Sequence, residues 1–268
     1  MPELPEIETI RRSLLDQVGA AFASIEFKRT DIIKIQDFEP AQLIGQRISD
    51  IRRRGKYFIL EMEPSYAMVV HLGMSGRFYM LDQDAEIEGP HVHMIIYLDN
   101  GCKLVYMDPR RFGGVRFMTD PERQFCHMGV EPLGDGFTNH CLQMICKDRK
   151  ANIKAVLLNQ NLIAGIGNIY ADEALFAARI RPDRPAGSLT MTQIKRLRKA
   201  IVEVLQGSIA HRGTTFRDFR DGYNESGQFQ QLLQVYGRTG CPCNVCGRIL
   251  TKAVIGGRGT HYCQHCQK

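Results

Sequence analysis

Residues 241–266, CPCNVCGRILTKAVIGGRGTHYCQHC, decide the architecture of the C-terminal end. Cys243 and Cys246 form one Cys-x2-Cys pair, Cys263 and Cys266 form a second, and sixteen residues separate the two. Each pair supplies one knuckle, and together four thiolates close a tetrahedron around Zn2+. Four cysteines leave no coordination position for water, so the expected metal is a single structural zinc. Cys241, His261 and His265 are further ligand candidates at poorer spacing. The intervening residues read as a β-hairpin with Gly256, Gly257, Arg258 and Gly259 at its turn. Glycines there let the backbone approach a partner closely, and Arg258 offers a planar phosphate donor at the tip. Taken alone, Arg258 reads first as an ordinary solvated turn arginine.

The rest of the 268-residue chain is long enough for two compact domains, each with its own core. Hydrophobic residues make up 44% and charged residues 24%, the balance of a globular protein. The longest apolar runs, such as 67–72, are too short to span a bilayer, and no basic-then-apolar leader opens the chain. The expectation is a cytoplasmic protein with no membrane partner. Five of nine cysteines crowd between 241 and 266, which in such a chain argues for metal over disulfides. Cys102, Cys126, Cys141 and Cys146 read as small buried hydrophobes. The formal charge is +6, and its cations cluster at 52–56, at 110–111, at 147–154 and at 195–199. Separated basic patches suit a polyanion that touches many parts of the surface, as a phosphate backbone does.

Apolar spacing at Ile7, Ile10, Leu14 and Val18, with Pro5 at the start, predicts an N-terminal helix ended by Gly19. Short β-like runs follow at 48–51, 57–62, 68–71, 77–81, 94–98, 103–107 and 115–118. Asp99, Asn100 and Gly101 mark a hairpin loop between two of them. Many short strands behind one helix predict a β-sandwich or barrel. The second half turns helical, with helices opening near Ile153 and spanning 171–180, and a capping box at Thr190 and Gln193 before a third. The class is therefore α+β. The expected domains are 1–130 (helix and β-sandwich), 131–230 (helical) and 231–268 (zinc finger), with a linker near 120–136.

Several further stretches carry chemistry. Removing Met1 from MPELPE would expose Pro2 as a secondary amine with a pKa near neutrality. Such an amine attacks an aldehyde-like carbon to give an iminium ion, with Glu3 beside it to shuttle protons. The same prolines and acids also serve simply to start a helix. Lys56, after Arg52, Arg53, Arg54 and Gly55, is a phosphate contact, a proton donor or a solvated edge charge. Met74 sits among glycines in LGMSG, where an exposed methionine can wedge between bases. DPRRFG places Arg110 beside Phe112 on a loop, a cation and a ring suited to filling a gap in stacked DNA. His91 and His93 read as surface residues on one strand edge. Gly165, Ile166, Gly167 and Asn168 between two helices form an anion site, with Asn168 as cap or phosphate donor, or a plain connecting turn.

In order, PELPE, RRRGKY, HLGMSG, DPRRFG, GIGNIYADE, QVYGR and the terminal cysteine pairs around GGRGTHYC resemble the formamidopyrimidine-DNA glycosylase family over essentially the whole chain. The resemblance implies an N-terminal helix and two-layer β-sandwich, then a helix–two-turn–helix domain with a zinc-bearing hairpin. It implies a base-excision repair enzyme, glycosylase and abasic-site lyase, acting as a monomer on double-stranded DNA that carries oxidised bases or abasic sites. By position, Pro2 is the Schiff-base nucleophile, Glu3 its acid/base partner, Lys56 a proton donor and phosphate contact, and Arg258 the phosphate ligand that assists the second elimination. Met74, Arg110 and Phe112 fill the void left by a flipped nucleotide, and His91, Lys150 and Asn168 contact phosphates. The stretch 214–230 corresponds to a loop covering the flipped base. Pro90 and Met94 around His91, and the extra thiol of Cys241, depart from the family pattern. An endonuclease-VIII-type enzyme for oxidised pyrimidines usually has Gly where this chain has Leu4. A catalytically silent DNA-binding zinc protein would not need Pro2, Glu3 and Lys56 together.

Overall fold

The computed structural model describes residues 1–63, 65–216 and 219–268; Arg217 and Asp218, within the 214–230 stretch, lie outside the described residues. The chain divides into two compact units, Met1–Cys126 with His211–Gln230, and His127–Ala210 with Gln231–Lys268. The first boundary falls inside the expected linker. The helical and zinc-finger segments share one unit, whereas 211–230, read from sequence as part of the helical domain, packs with the first.

In the first unit, helix α1 (Leu4–Ser13) begins with a reciprocal capping box between Glu3 and Glu6 and a proline in its first turn. It gives way to a short 3-10 turn, and Gly19 then leaves in the left-handed region at φ 95°. Nine strands follow: β1 (Phe22–Phe27), β2 (Ile33–Gln36), β3 (Ile48–Arg54), β4 (Tyr57–Met62), β5 (Tyr66–His71), β6 (Arg77–Asp82), β7 (Val92–Leu98), β8 (Cys102–Met107) and β9 (Gly114–Met118). They form a five-stranded sheet in the order β2-β9-β5-β4-β3 and a four-stranded sheet in the order β1-β7-β8-β6. β1 and β2, on the sheet edges, are not among the runs read from the sequence; both are short and largely half-exposed or exposed. Gly101, at φ 81°, closes the β7–β8 hairpin as Asp99-Asn100-Gly101 predicts.

Core residues come from the inner faces of both sheets and from α1 with its C-cap, which supply Ile7, Ile10 and Leu14. Phe58 of β4 meets Phe78 of β6 edge-to-face, ring centroids 4.8 Å apart, across the sandwich. Truncating either ring would cost roughly 3–5 kcal/mol. The 211–230 segment contributes Phe219 to this core, and the Gly222 carbonyl accepts the Met80 N–H of edge strand β6 at 2.8 Å. A one-turn helix, α2 (Glu122–Phe125), ends the first stretch of the unit.

The second unit holds α3 (Asn139–Cys146), α4 (Ile153–Leu158), α5 (Asn168–Ala177), α6 (Met191–Ala210) and a hairpin of β10 (Thr251–Ile255) and β11 (Arg258–Tyr262). Thr138 and Asn152 cap α3 and α4 by accepting the N–H of Cys141 and Ala155. The Thr190–Gln193 capping box forms before α6. Residues 170–176 of α5 are all buried, as for a helix surrounded by partners. Among the described residues no helix is long and apolar enough to cross a membrane. Of the four cysteines expected in the core, only Cys146 is buried; Cys102 and Cys141 are half-buried and Cys126 is exposed.

Candidate active site and metal centre

The chain start is built into the first unit rather than left loose. Pro2, Glu3 and Glu6 are all buried. One Glu6 carboxylate oxygen accepts the Glu3 N–H at 2.8 Å, and the other accepts the Thr214 N–H at 2.8 Å. Glu6 thus ties the N-terminal residues to the 211–230 segment, a role that sequence spacing does not reveal. Burial pulls the terminal amine of Met1 below its ordinary value; Arg110 and Lys56 pull the same way, while Glu3 and Glu6 oppose them. Lys56 follows Gly55, which adopts φ 55°, in the two-residue turn joining β3 to β4. It is only 6% exposed, not the solvated edge charge that its run of arginines suggests.

Two loops of this unit carry the predicted wedge residues. Met74 is 41% exposed and Phe112 62%, both well above what their apolarity favours. The Arg110 guanidinium lies 6.0 Å from the centre of the Phe112 ring. Gly73, at φ 62°, packs so tightly on the Phe112–Gly113 backbone that any Cβ there would collide with it. Close backbone contact therefore brings Met74, Arg110 and Phe112 together. His91 is exposed, in the left-handed region at φ 77°, and its carbonyl accepts the Asp108 N–H at 3.1 Å. His93, expected on the surface, is buried instead. Beside Met74, His71 accepts the Gly73 N–H at Nδ1 at 3.2 Å. Burial, with Arg116 and Lys56 nearby, holds its pKa down at about 4, so the ring is neutral at physiological pH.

In the second unit the sulfurs of Cys243, Cys246, Cys263 and Cys266 all lie within 4.8 Å of one another. Cys243 and Cys266 are 3.9 Å apart, and Cys246 and Cys263 3.6 Å. A tetrahedron with Zn–S bonds of about 2.3 Å has edges of about 3.8 Å, so the four thiols fit a zinc ion. Cys241 and His265 are exposed and outside this set, and the His261 ring turns toward Asp172, with Nδ1 3.3 Å from the carboxylate. The spare ligand candidates are thereby set aside. The cysteine module packs through Cys243, Leu250 and Cys263 on Phe176 and Val235.

The hairpin turn bearing Arg258 is tied to α4 and α5. Gly256 and Gly257 take φ 59° and 73°, and Arg258 is exposed at the tip. Lys154, completely buried, pairs with Asp172 at 2.6 Å and donates to Thr260 Oγ1 at 2.7 Å and to the Gly259 carbonyl at 3.2 Å. The second Asp172 oxygen accepts the His261 N–H at 2.8 Å. Asn168 does not cap α5; Gly167 does, and Asn168 Nδ2 donates to the Gly259 carbonyl at 2.9 Å. Its Oδ1 is buried with no partner among the described residues. Lys150 is exposed in the loop before α4. Sequence reasoning misses Lys154 and Asp172; in sequence Lys154 is only one more cation of a basic patch. One residue further along α5, the Glu173 carboxylate accepts the N–H groups of Gln234, Val235 and Tyr236 at 2.8–2.9 Å, and burial pushes its pKa up against them.

Three family models cover most of the chain. The formamidopyrimidine-DNA glycosylase N-terminal domain matches residues 1–115, its H2TH domain 128–220, and the zinc finger found in FPG and IleRS 240–268. A formamidopyrimidine-DNA glycosylase from Syntrophomonas wolfei is 49% identical over 268 residues, covering all of both chains. The solved complex of wild-type Lactococcus lactis Fpg with N7-benzyl-Fapy-dG-containing DNA superposes with a TM-score of 0.91 at 35% identity, over 100% of both chains. A structure of MutM with carbocyclic 8-oxo-G-containing DNA gives 0.91 at 36% identity, again over 100% of both. A buried N-terminal proline among acids and cations, a four-cysteine cluster and full-length similarity agree on one assignment: the chain belongs to the formamidopyrimidine-DNA glycosylase family.

Proposed function

We propose that this protein excises oxidised purines, 8-oxoguanine and formamidopyrimidines, from double-stranded DNA through a Schiff base at Pro2, and then nicks the abasic site by β,δ-elimination. The observation that carries this reading is the placement of Pro2, buried at the start of α1 beside the buried Glu3, with Lys56 and Arg110 near enough to the Met1 amine to lower its pKa. A neutral amine is the nucleophilic form. With Met1 removed, the Pro2 nitrogen attacks the sugar C1′, the glycosidic bond breaks and the damaged base leaves. Glu3 moves the protons needed to open the sugar and form the iminium. That iminium acidifies C2′, whose proton loss expels the 3′ phosphate; the conjugated iminium so formed acidifies C4′, and loss of that proton expels the 5′ phosphate.

Lys56 serves as proton donor and phosphate contact, and Arg258 holds the phosphate lost in the second elimination. His91, Lys150 and Asn168 are assigned to other phosphates. Met74, Arg110 and Phe112 occupy the gap left by the extruded nucleotide, with Arg110 facing the orphaned base. One zinc, held by Cys243, Cys246, Cys263 and Cys266, keeps the hairpin folded and takes no part in bond breaking. The protein acts as a monomer in the cytoplasm. Borohydride trapping on a duplex with 8-oxoguanine opposite cytosine tests the reading. A covalent adduct mapped by mass spectrometry to Pro2 is expected; an adduct on a lysine side chain, or none, would overturn the mechanism.

A further inference from the structure

Asp108 belongs to neither the catalytic nor the phosphate-binding set, yet it is completely buried beneath the two wedge-bearing loops. A buried carboxylate survives only where donors replace its lost water, so each of its bonds marks a position that the fold holds. Its Oδ1 accepts the Ser75 hydroxyl at 2.6 Å, from the residue directly after Met74. The same oxygen lies 3.3 Å from the Arg110 N–H, which also reaches Ser75 Oγ at 3.3 Å. Oδ2 accepts the Gly113 N–H at 2.9 Å, directly after Phe112. One side chain therefore bonds the Ser75 hydroxyl beside Met74 and the backbone N–H groups of Arg110 and of Gly113 beside Phe112.

Asp108 itself is clamped from behind. Its carbonyl accepts the Arg111 N–H at 3.1 Å and lies 2.9 Å from His93 Nε2. A carbonyl only accepts, so His93 carries its proton on Nε2; this leaves Nδ1 as the bare, buried nitrogen without a partner among the described residues. The burial of His93, unexpected from its place on a strand edge, makes sense as the floor of this clamp.

We infer that Asp108 is the positioning residue for the wedge: by bonding Ser75, Arg110 and Gly113 it locks Met74, Arg110 and Phe112 into one rigid unit that enters the base stack together. The inference rests on the proposed function for the wedge itself. An exposed Met and Phe on loops lacking that brace would collapse onto the surface in water, and the cost of re-ordering them would fall on each insertion.

The test compares wild type with Asp108→Asn and, as a milder cut, Ser75→Ala, which leaves the carboxylate bonded to Gly113. Neither residue is proposed to touch the reacting sugar. Excision of 8-oxoguanine opposite cytosine should fall ten- to a hundredfold in Asp108→Asn and three- to tenfold in Ser75→Ala. Cleavage of a preformed abasic site should change less than threefold, and discrimination between cytosine and adenine opposite the lesion should flatten. A 2-aminopurine beside the lesion should brighten on wild-type binding and lose more than half of that rise in Asp108→Asn at saturating protein. A residue serving stability alone would lower the melting temperature and both activities together, with the signal at saturation intact; that result would overturn the inference. So would a Ser75→Ala protein with full excision and full discrimination, should Asp108→Asn not fold. Failure of the wild-type protein itself to excise 8-oxoguanine or formamidopyrimidine would instead sink the proposed function.

Discussion

Replacing Lys154 with Met removes one member of a completely buried ion pair, and the structure sets the size of the effect. The ammonium lies 2.6 Å from Asp172 and also donates to Thr260 and Gly259. At an effective dielectric of about 20 the gross attraction is about 6 kcal/mol, most of it offset by the desolvation of both charges. Cutting one partner is different, because the other stays buried and charged, at a cost of about 3–5 kcal/mol. Met fills the volume, so little of that cost is cavity. Asp172→Asn should lose a similar amount, since it strands the ammonium and weakens the bond to the His261 N–H. The double variant Lys154→Met/Asp172→Asn strands no charge and should recover at least about 2 kcal/mol relative to the sum of the singles. Guanidinium unfolding, followed by zinc release to a metallochromic indicator, reads this directly, because the pair anchors the strand that leads into Cys263. Single losses below about 1 kcal/mol, or strict additivity in the double variant, would refute the claim that the pair fastens the hairpin.

Three further expectations follow from the sites described. Cys246→Ser should abolish stoichiometric zinc and weaken DNA binding at least tenfold while the β-sandwich stays folded, checked by elemental analysis and by hydrogen exchange in β4 and β5. His71 has its folded pKa near 4, below the ordinary 6.5, so the unfolded chain binds more protons between these values. Stability is then fully present above pH 6.5 and falls by up to about 1.4 kcal/mol per pH unit as pH drops toward 4; His71→Gln should flatten that limb in urea titrations. Pro2→Gly, or retention of Met1, should suppress strand cleavage at least a hundredfold and DNA binding less than threefold. In the mature protein, whose Pro2 amine lies one residue on from the Met1 amine, the borohydride-trapping rate should rise with pH through a midpoint below 8, because the amine must shed its proton to attack. A trapping midpoint above 8 would contradict that setting.

Local chemistry in the chain is enough to read the helix at the N-terminus, seven of the nine sandwich strands, the α6 capping box and the four-cysteine cluster. Each rests on a signal contained within a few residues: a period of 2 or 3.6, a cap, or a pair of thiols at fixed spacing. Cys243, Cys246, Cys263 and Cys266 are legible because metal geometry constrains their spacing directly. What the sequence leaves undecided depends on partners far away in the chain. β1 and β2 become strands through pairing with β7 and β9, and residues 211–230 join the first unit because Phe219, Thr214 and Gly222 find places on α1 and the sandwich. Lys154 and Thr260 stand 106 positions apart, and Ser75 and Asp108 33. No local pattern separates a lysine that will be buried in an ion pair from one that will face water, or an aspartate that braces two loops from one that starts a turn. Desolvation makes that distinction, and it is set only when the polar partner arrives from elsewhere in the fold.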